Sequence, residues 1–428
     1  MNTILYPNKA EWKALLERPH RDASELRQTV KTVLDDIQQR GDEAVKEYEQ
    51  KFDKVELDTL AVSEAEMNEA ELLVSDELKS AIELAHSNIA AFHSAQQFAP
   101  IEVMTQPGVK CWQKSIAIEK VGLYIPGGTA PLFSTVLMLA TPAKIAGCKD
   151  IVLCSPPNRE GKLNPAILVA ARIAGVNRIF KAGGVQAIGA MAYGTESVPK
   201  VSKIFGPGNQ FVMAAKQQVS LHEVAIDMPA GPSEVAIVAD ATCNPEFVAA
   251  DLLSQAEHGI DSQSILFTDS EDVAKAVSAE VDRQLALLPR KEIASKALEY
   301  SKIIVLHDIA EAFDICNDYA PEHLILSMDT AMDYCDRVVN AGSVFVGHYS
   351  CESAGDYASG TNHTLPTSGY AKAYSGVNLD SFCRKVTFQN LTAEGIKSIG
   401  KTVVVMAEAE MLDAHANAMK VRLNETVK

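Results

Sequence analysis

Four clusters in this chain carry side chains able to do chemistry. Gln255 and His258 stand three residues apart near the end of a predicted helix, so they share a face. Histidine is the commonest metal ligand and glutamine a rarer oxygen donor. The same pair also reads as a helix-terminal histidine favoured by the dipole, beside a solvated amide. Glu322 and His323 are adjacent, after Pro321 and ahead of a predicted strand. A carboxylate beside an imidazole at a strand mouth can divide acid and base roles, or form a solvated turn. Asp356 and His363 fall in the Gly/Ser-rich stretch Ala354–His363, which reads as a loop closing over a ligand. Glu410 and His415 lie in a helical tail, where Met411, Leu412, Ala418 and Met419 surround His415 at helical spacing. That pattern suits a core or interface histidine. On a continuous helix Glu410 and His415 point about 140° apart. They share a site only if the helix breaks between them, and Asp413 is the predicted N-cap of the second half.

Three Gly-rich turns follow predicted strands or open helices: Pro126-Gly127-Gly128, Gly183-Gly184 and Gly206-Pro207-Gly208-Asn209. None matches G-x-G-x-x-G. They read as ordinary tight turns or as a dinucleotide or phosphate site, where helix N-termini suit anions. Ser233, in Ala230-Gly231-Pro232-Ser233-Glu234, precedes a strand and reads as a binding hydroxyl. No G-x-S-x-G elbow and no H-E-x-x-H is present.

These groups need positioning elements. The first hundred residues read as helices: Leu26, Val30, Val33, Leu34 and Ile37 form one stripe, and Leu78, Ile82, Ala85, Ile89 and Phe92 another, with Ser63 and Glu66 at capping-box spacing ahead of it. From about residue 115, strands at 151–154, 178–180 and 203–205 alternate with helices at 165–174, 185–193 and 210–219. Asn164-Pro165 opens the first of those helices. A second unit has strands at 235–238, 264–267, 303–306, 324–326 and 344–346, and Asn244-Pro245 opens its first helix. Such alternation predicts parallel sheets covered by helices, and the likeness of the two units hints at a duplication. The expected organisation is a helical N-terminal segment, 1–114; two Rossmann-like units, 115–233 and 234–376; and a C-terminal helical arm, 377–428.

Composition narrows the function. The 428 residues carry 39 basic and 56 acidic side chains, a net charge of −17. So acidic a chain is ill suited to neutralising phosphates, so neither nucleic acid nor an anionic membrane is an expected partner. The densest apolar stretch, Leu132–Ala140, is too short to span a bilayer, and residues 1–12 lack a signal-like apolar run. The eight cysteines show no C-x-x-C spacing and are expected to be reduced thiols. A cytoplasmic enzyme is the expectation.

Six motifs in order resemble the histidinol dehydrogenase family: Tyr124–Gly128, Phe205–Asn209, Ile226–Glu234, Ser254–His258, Pro321–Leu324 and the Asp356/His363 stretch. The resemblance covers almost the whole chain, departing slightly in length at 156–163 and 220–224. It implies oxidation of L-histidinol to L-histidine through the aldehyde, the end of histidine biosynthesis, with reduction of two NAD. It implies Zn2+ held by Gln255, His258, Asp356 and His415, in a homodimer whose C-terminal segment reaches the partner's site, so that His415 and Glu410 serve the other subunit. It also implies Glu322 and His323 as catalytic residues, and Tyr124, Gln186 and Asn209 as NAD contacts. Ser233, His363 and Glu410 are implied substrate contacts, together with His323 and the four zinc ligands. On chemical grounds His323 suits the general base and Glu322 the activation of water. Competing readings are oxidation of another alcohol, a non-catalytic metal or nucleotide module, and a cysteine thiohemiacetal for the aldehyde step. The last would have to use Cys351, the cysteine close to the loop.

Overall fold

A computed structural model describes residues 1–19, 24–127 and 131–425. Its strands are β1 (Asn2–Leu5), β2 (Ile101–Gln106), β3 (Val109–Ala117), β4 (Lys120–Tyr124), β5 (Asp150–Ser155), β6 (Arg178–Lys181), β7 (Lys203–Phe205), β8 (Ala225–Ile226), β9 (Glu234–Ala239), β10 (Gln263–Thr268), β11 (Lys302–Val305), β12 (His323–Ser327), β13 (Ser343–Val346) and β14 (Cys383–Leu391).

The first sheet runs β6-β5-β4-β7-β8 and the second β1-β11-β10-β9-β12-β13, both wholly parallel. Counted from β4 and from β9, each unit has the order 3-2-1-4-5, a Rossmann sheet lacking its sixth strand. The α/β class with two incomplete Rossmann-like units is therefore as the sequence indicated, and the shared order accounts for the likeness between the units. Their strands are continuous apolar runs because both faces are covered by helices. Alternate residues separate cleanly: Val235, Ile237 and Ala239 enter one core, Ala236 and Val238 the opposite one. A third, antiparallel sheet, β14-β3-β2, joins the tail to the start of the first unit.

Local details follow from the residues, with five departures. Asn164 caps the helix Pro165–Ile173, accepting from the Ala166 N–H at 2.9 Å. The Ser63/Glu66 capping box is present but opens a helix of its own, Glu64–Leu73; Ser75 then caps Asp76–Ser94. In that second helix the buried stripe is Ile82, Ala85, Ile89 and His93, the i+4 continuation, while Phe92 turns outward. The N-terminal helices are joined by strands: β1 pairs with β11, and β2 with β3. The Ala354–His363 stretch is not all loop, because Glu352–Tyr357 is a short helix bearing Asp356. Its Gly355 hid it from propensity; a Cβ there would lie 2.5 Å from Phe345. The tail breaks as expected, but at Met411, whose φ of 58° is left-handed. Asp413 is therefore the first residue of the helix Asp413–Glu425 and not its cap.

Candidate active site

The carboxyl edge of the first sheet faces the amino edge of the second. The Gly206-Pro207-Gly208 turn follows β7, while Ser233 and Glu322 immediately precede β9 and β12. These residues line one cavity of about 90 Å³, together with His363. Helix Pro245–Ala256 runs back from the far end of β9, so Gln255 at its last turn and His258 beyond it arrive at the same edge.

The N terminus of β9 organises the acid–base pair. The Glu234 N–H donates to Glu322 Oε2 at 2.9 Å, and its carbonyl oxygen lies 3.3 Å from His323 Nδ1. Glu234 is itself clamped by Arg18, whose Nε and Nη2 donate to its two oxygens at 2.6 and 2.8 Å. With Nδ1 turned to a carbonyl, the other ring nitrogen of His323 is aimed at Asp356 Oδ1, 3.4 Å away. Neither His323 Nε2 nor Asp356 Oδ1 has a hydrogen-bond partner, although both are buried.

Electrostatics follow from burial. Desolvation pushes Glu322 up to about 7, against the pull of His323 and the Glu234 N–H. For His323, burial favours the neutral ring, but Glu352, Glu322 and Asp356 outweigh it and raise the imidazole to about 10. Burial also opposes ionisation of Asp356, yet His323, His363 and His258 hold it below the usual carboxylate range. His363 is fixed from both nitrogens, 2.9 Å from the Asp356 carbonyl and 3.0 Å from Thr135 Oγ1 on the first unit, and burial lowers its affinity for a proton.

His258, Glu352 and Asp356 present ligand atoms all within 4.8 Å of one another, the metal-capable group found among the described residues. Gln255 adjoins it through Glu352. One imidazole with carboxylate and amide oxygens and no thiolate is a donor set that zinc accepts. The buried carboxyl of Glu352, which desolvation pushes up to about 8 in the absence of a counter-charge, and the unpartnered Asp356 Oδ1 fit a cation there.

At the opposite edge, Tyr124 ties the first unit's turns together. Its hydroxyl accepts from the Gly184 N–H at 3.2 Å, and burial raises it to about 12. Its carbonyl lies against Gly206, whose φ of 124° and lack of a Cβ are both required, since a Cβ would sit 2.1 Å from that oxygen. Gln186 is buried and donates to Glu49 Oε1 at 2.8 Å and Asp53 Oδ2 at 3.4 Å. Asn209 caps the helix Gln210–Ser220 through the Phe211 and Val212 N–H groups. Glu49 Oε1 also accepts from the Gly183 N–H at 2.7 Å. The helix N-termini after β6 and β7 are thus capped by the chain's own side chains. Gly128 lies outside the described residues.

The fold brings together Gln255, His258, Glu322, His323, Asp356 and His363, with Ser233 on the shared cavity. Within one chain it does not bring Glu410 and His415 into the metal-capable group: both are exposed, on tail helices that pack on each other, on β14 and on β2. Sequence reasoning missed Glu49, Asp53, Glu234 and Glu352. Only Glu234 carried a signal, as a charged residue opening an apolar strand.

Two nucleotide-binding-type sheets meeting over a buried carboxylate–imidazole pair and a metal-capable group define an α/β enzyme of the dehydrogenase kind. A family model, histidinol dehydrogenase, matches residues 16–423. The histidinol dehydrogenase of Bacteroides thetaiotaomicron is 63% identical over 424 residues, covering 99% of each chain. That of Escherichia coli K12 is 53% identical over 429 residues, 99% of this chain and 98% of its own. A crystal structure of histidinol dehydrogenase from Elizabethkingia anophelis superposes with a TM-score of 0.98 at 55% identity, covering 100% of this chain and 99% of that one. This chain belongs to the histidinol dehydrogenase family and is an oxidoreductase.

Proposed function

We propose that this chain oxidises L-histidinol to L-histidine through L-histidinal, completing histidine biosynthesis and reducing two NAD, with zinc at the site. The observation carrying this reading is the shared cavity, which sets the Gly206 turn opposite Ser233, Glu322 and His363. Gln255, His258 and Asp356 would hold zinc, with His415 from a second subunit. Zinc there would bind the imidazole and amine of the substrate, orienting its alcohol carbon.

The chain's own groups then supply the proton chemistry. Once Asp356 is engaged by a cation, the field that charges His323 weakens, and Nε2 can take the hydroxyl proton while a hydride leaves the carbinol carbon for NAD. Glu322, buried and with a raised pKa, takes a proton from water as it adds to the aldehyde. The hydrate then loses a second hydride to a second NAD and its two hydroxyl protons to solvent, leaving the carboxylate. Ser233, His363 and Glu410 bind the substrate. Tyr124, Gln186 and Asn209 shape the NAD side, which is the unit 115–233; the zinc side is 234–376.

The tail, 377–428, suits an arm exchanged in a homodimer, because Met406, Met411, Leu412 and Val421 are exposed beside Glu410 and His415. Among the described residues no helix is long and apolar enough to cross a membrane. The test is NAD reduction with L-histidinol, with and without a chelator. Two NADH per histidinol, lost on chelation, is the expected result; no turnover by metal-replete protein would overturn the assignment.

A further inference from the structure

We infer that Glu352 is a positioning residue of the metal centre, acting through Gln255. The inference rests on the zinc reading above. Glu352 and Gln255 are both almost fully buried, at 1% exposure each, on facing helices. With its amide nitrogen toward Glu352, Gln255 donates at 2.8 and 3.3 Å to the two carboxylate oxygens. With Glu352 ionised, as beside a bound cation, the opposite orientation would set the amide carbonyl oxygen against the carboxylate, acceptor on acceptor, in a dry site. A planar amide has one donor branch and one acceptor branch. Fixing Nε2 on Glu352 therefore turns Oε1 away and keeps it free as an oxygen donor.

An amide that flips would offer the metal an N–H, which is no ligand. Glu352 thus converts a two-way side chain into a one-way ligand, as the carboxylate partners of metal-bound histidines do for tautomers. Its place within 4.8 Å of the His258 and Asp356 donor atoms means the fixed amide lies beside the other ligands. Two roles are open to a carboxylate so placed: direct ligand or orienting partner. Both of its oxygens lie within hydrogen-bonding reach of the Gln255 nitrogen, which favours the second.

The test is zinc affinity by chelator competition in the full-length protein, for wild type, Glu352→Ala, Glu352→Gln, Gln255→Ala and the double alanine variant. Losing an orienting partner of this kind costs about 10–100-fold in metal affinity. Glu352→Ala should lose that much. Glu352→Gln, which keeps one acceptor oxygen, should recover part of it. The double variant should bind zinc no more weakly than Gln255→Ala alone, because Glu352 then has nothing to orient. Additive losses would make Glu352 an independent ligand and overturn the inference, as would unchanged affinity in both Glu352 variants. Should Glu352→Ala not fold, Glu352→Gln, Gln255→Ala and the variant carrying both give the same cycle. Failure of the wild type to bind zinc would overturn the zinc reading as well, whereas the other negative outcomes leave it standing.

Discussion

Replacing Glu49 by glutamine should abolish one component of the pH dependence of stability. Glu49 is fully buried, accepts from the Gly183 N–H and Gln186 Nε2, and leaves Oε2 without a partner. Burial, reinforced by the neighbouring Asp53, raises its pKa from 4.5 to about 8. The folded chain therefore keeps a proton that the unfolded chain releases. As pH rises from the unfolded value toward the folded one, the native state binds more protons than the unfolded state, so this group makes stability fall. The slope reaches about 1.4 kcal/mol per pH unit and flattens above about 8. The glutamine of Glu49→Gln resembles the protonated acid: its carbonyl can accept both bonds, and its amide nitrogen takes the place of the unpartnered oxygen. Whatever fixed cost that brings, the difference between variant and wild type should move in favour of the variant by about 3 kcal/mol between about pH 5.5 and about pH 7.5. Urea unfolding at matched protein concentration, repeated across that window, measures it. Parallel stability curves for the two proteins would refute a protonated Glu49.

Other expectations concern the reaction. His323→Asn should cripple the first hydride transfer, while Glu322→Gln should spare it more than aldehyde oxidation; single-turnover NADH formation from histidinol and from histidinal separates them, and equal losses in both steps would contradict the divided roles. Mixing inactive His323→Asn and His415→Asn subunits should restore up to about a quarter of the activity if sites are built across a two-fold dimer, since half of the dimers would then hold one intact site; no recovery would place His415 outside the partner's site. Gly206→Ala should cost at least about 1–3 kcal/mol of stability from backbone conformation alone, and should weaken NADH binding, read by fluorescence titration, more than zinc binding.

Much of the fold was legible because its strands are buried on both faces. Glu234–Ala239 is buried throughout and reads as one apolar run bounded by turn residues. Asn164 and Asn244 announced their helices by the same Asn-Pro chemistry. By contrast β1 is a short, largely exposed edge strand without alternation, so nothing local marked it. The same holds for β2, exposed at every position. Of the site, Glu322-His323 and Gln255/His258 stood out because two chemical groups sit close in sequence. Glu49 and Glu352 did not, since the group each one holds lies 134 or 97 residues away, and only folding supplies the burial that makes it unusual. The opposed sheet edges were equally hidden, because strand order within a unit says nothing about how two units face each other.

The pairing of β1 with β11 has a consequence during synthesis. Residues 2–5 leave the ribosome long before their partner, Lys302–Val305, which follows nearly three hundred residues later. At roughly 5–20 residues per second, that is a wait of about 15–60 s. Arg18, which must reach Glu234, waits for most of that time as well. The second unit therefore cannot close until its opening segment has been carried past the whole nascent first unit. A ribosome stalled before residue 302 would hold a chain whose β1 has nowhere to dock.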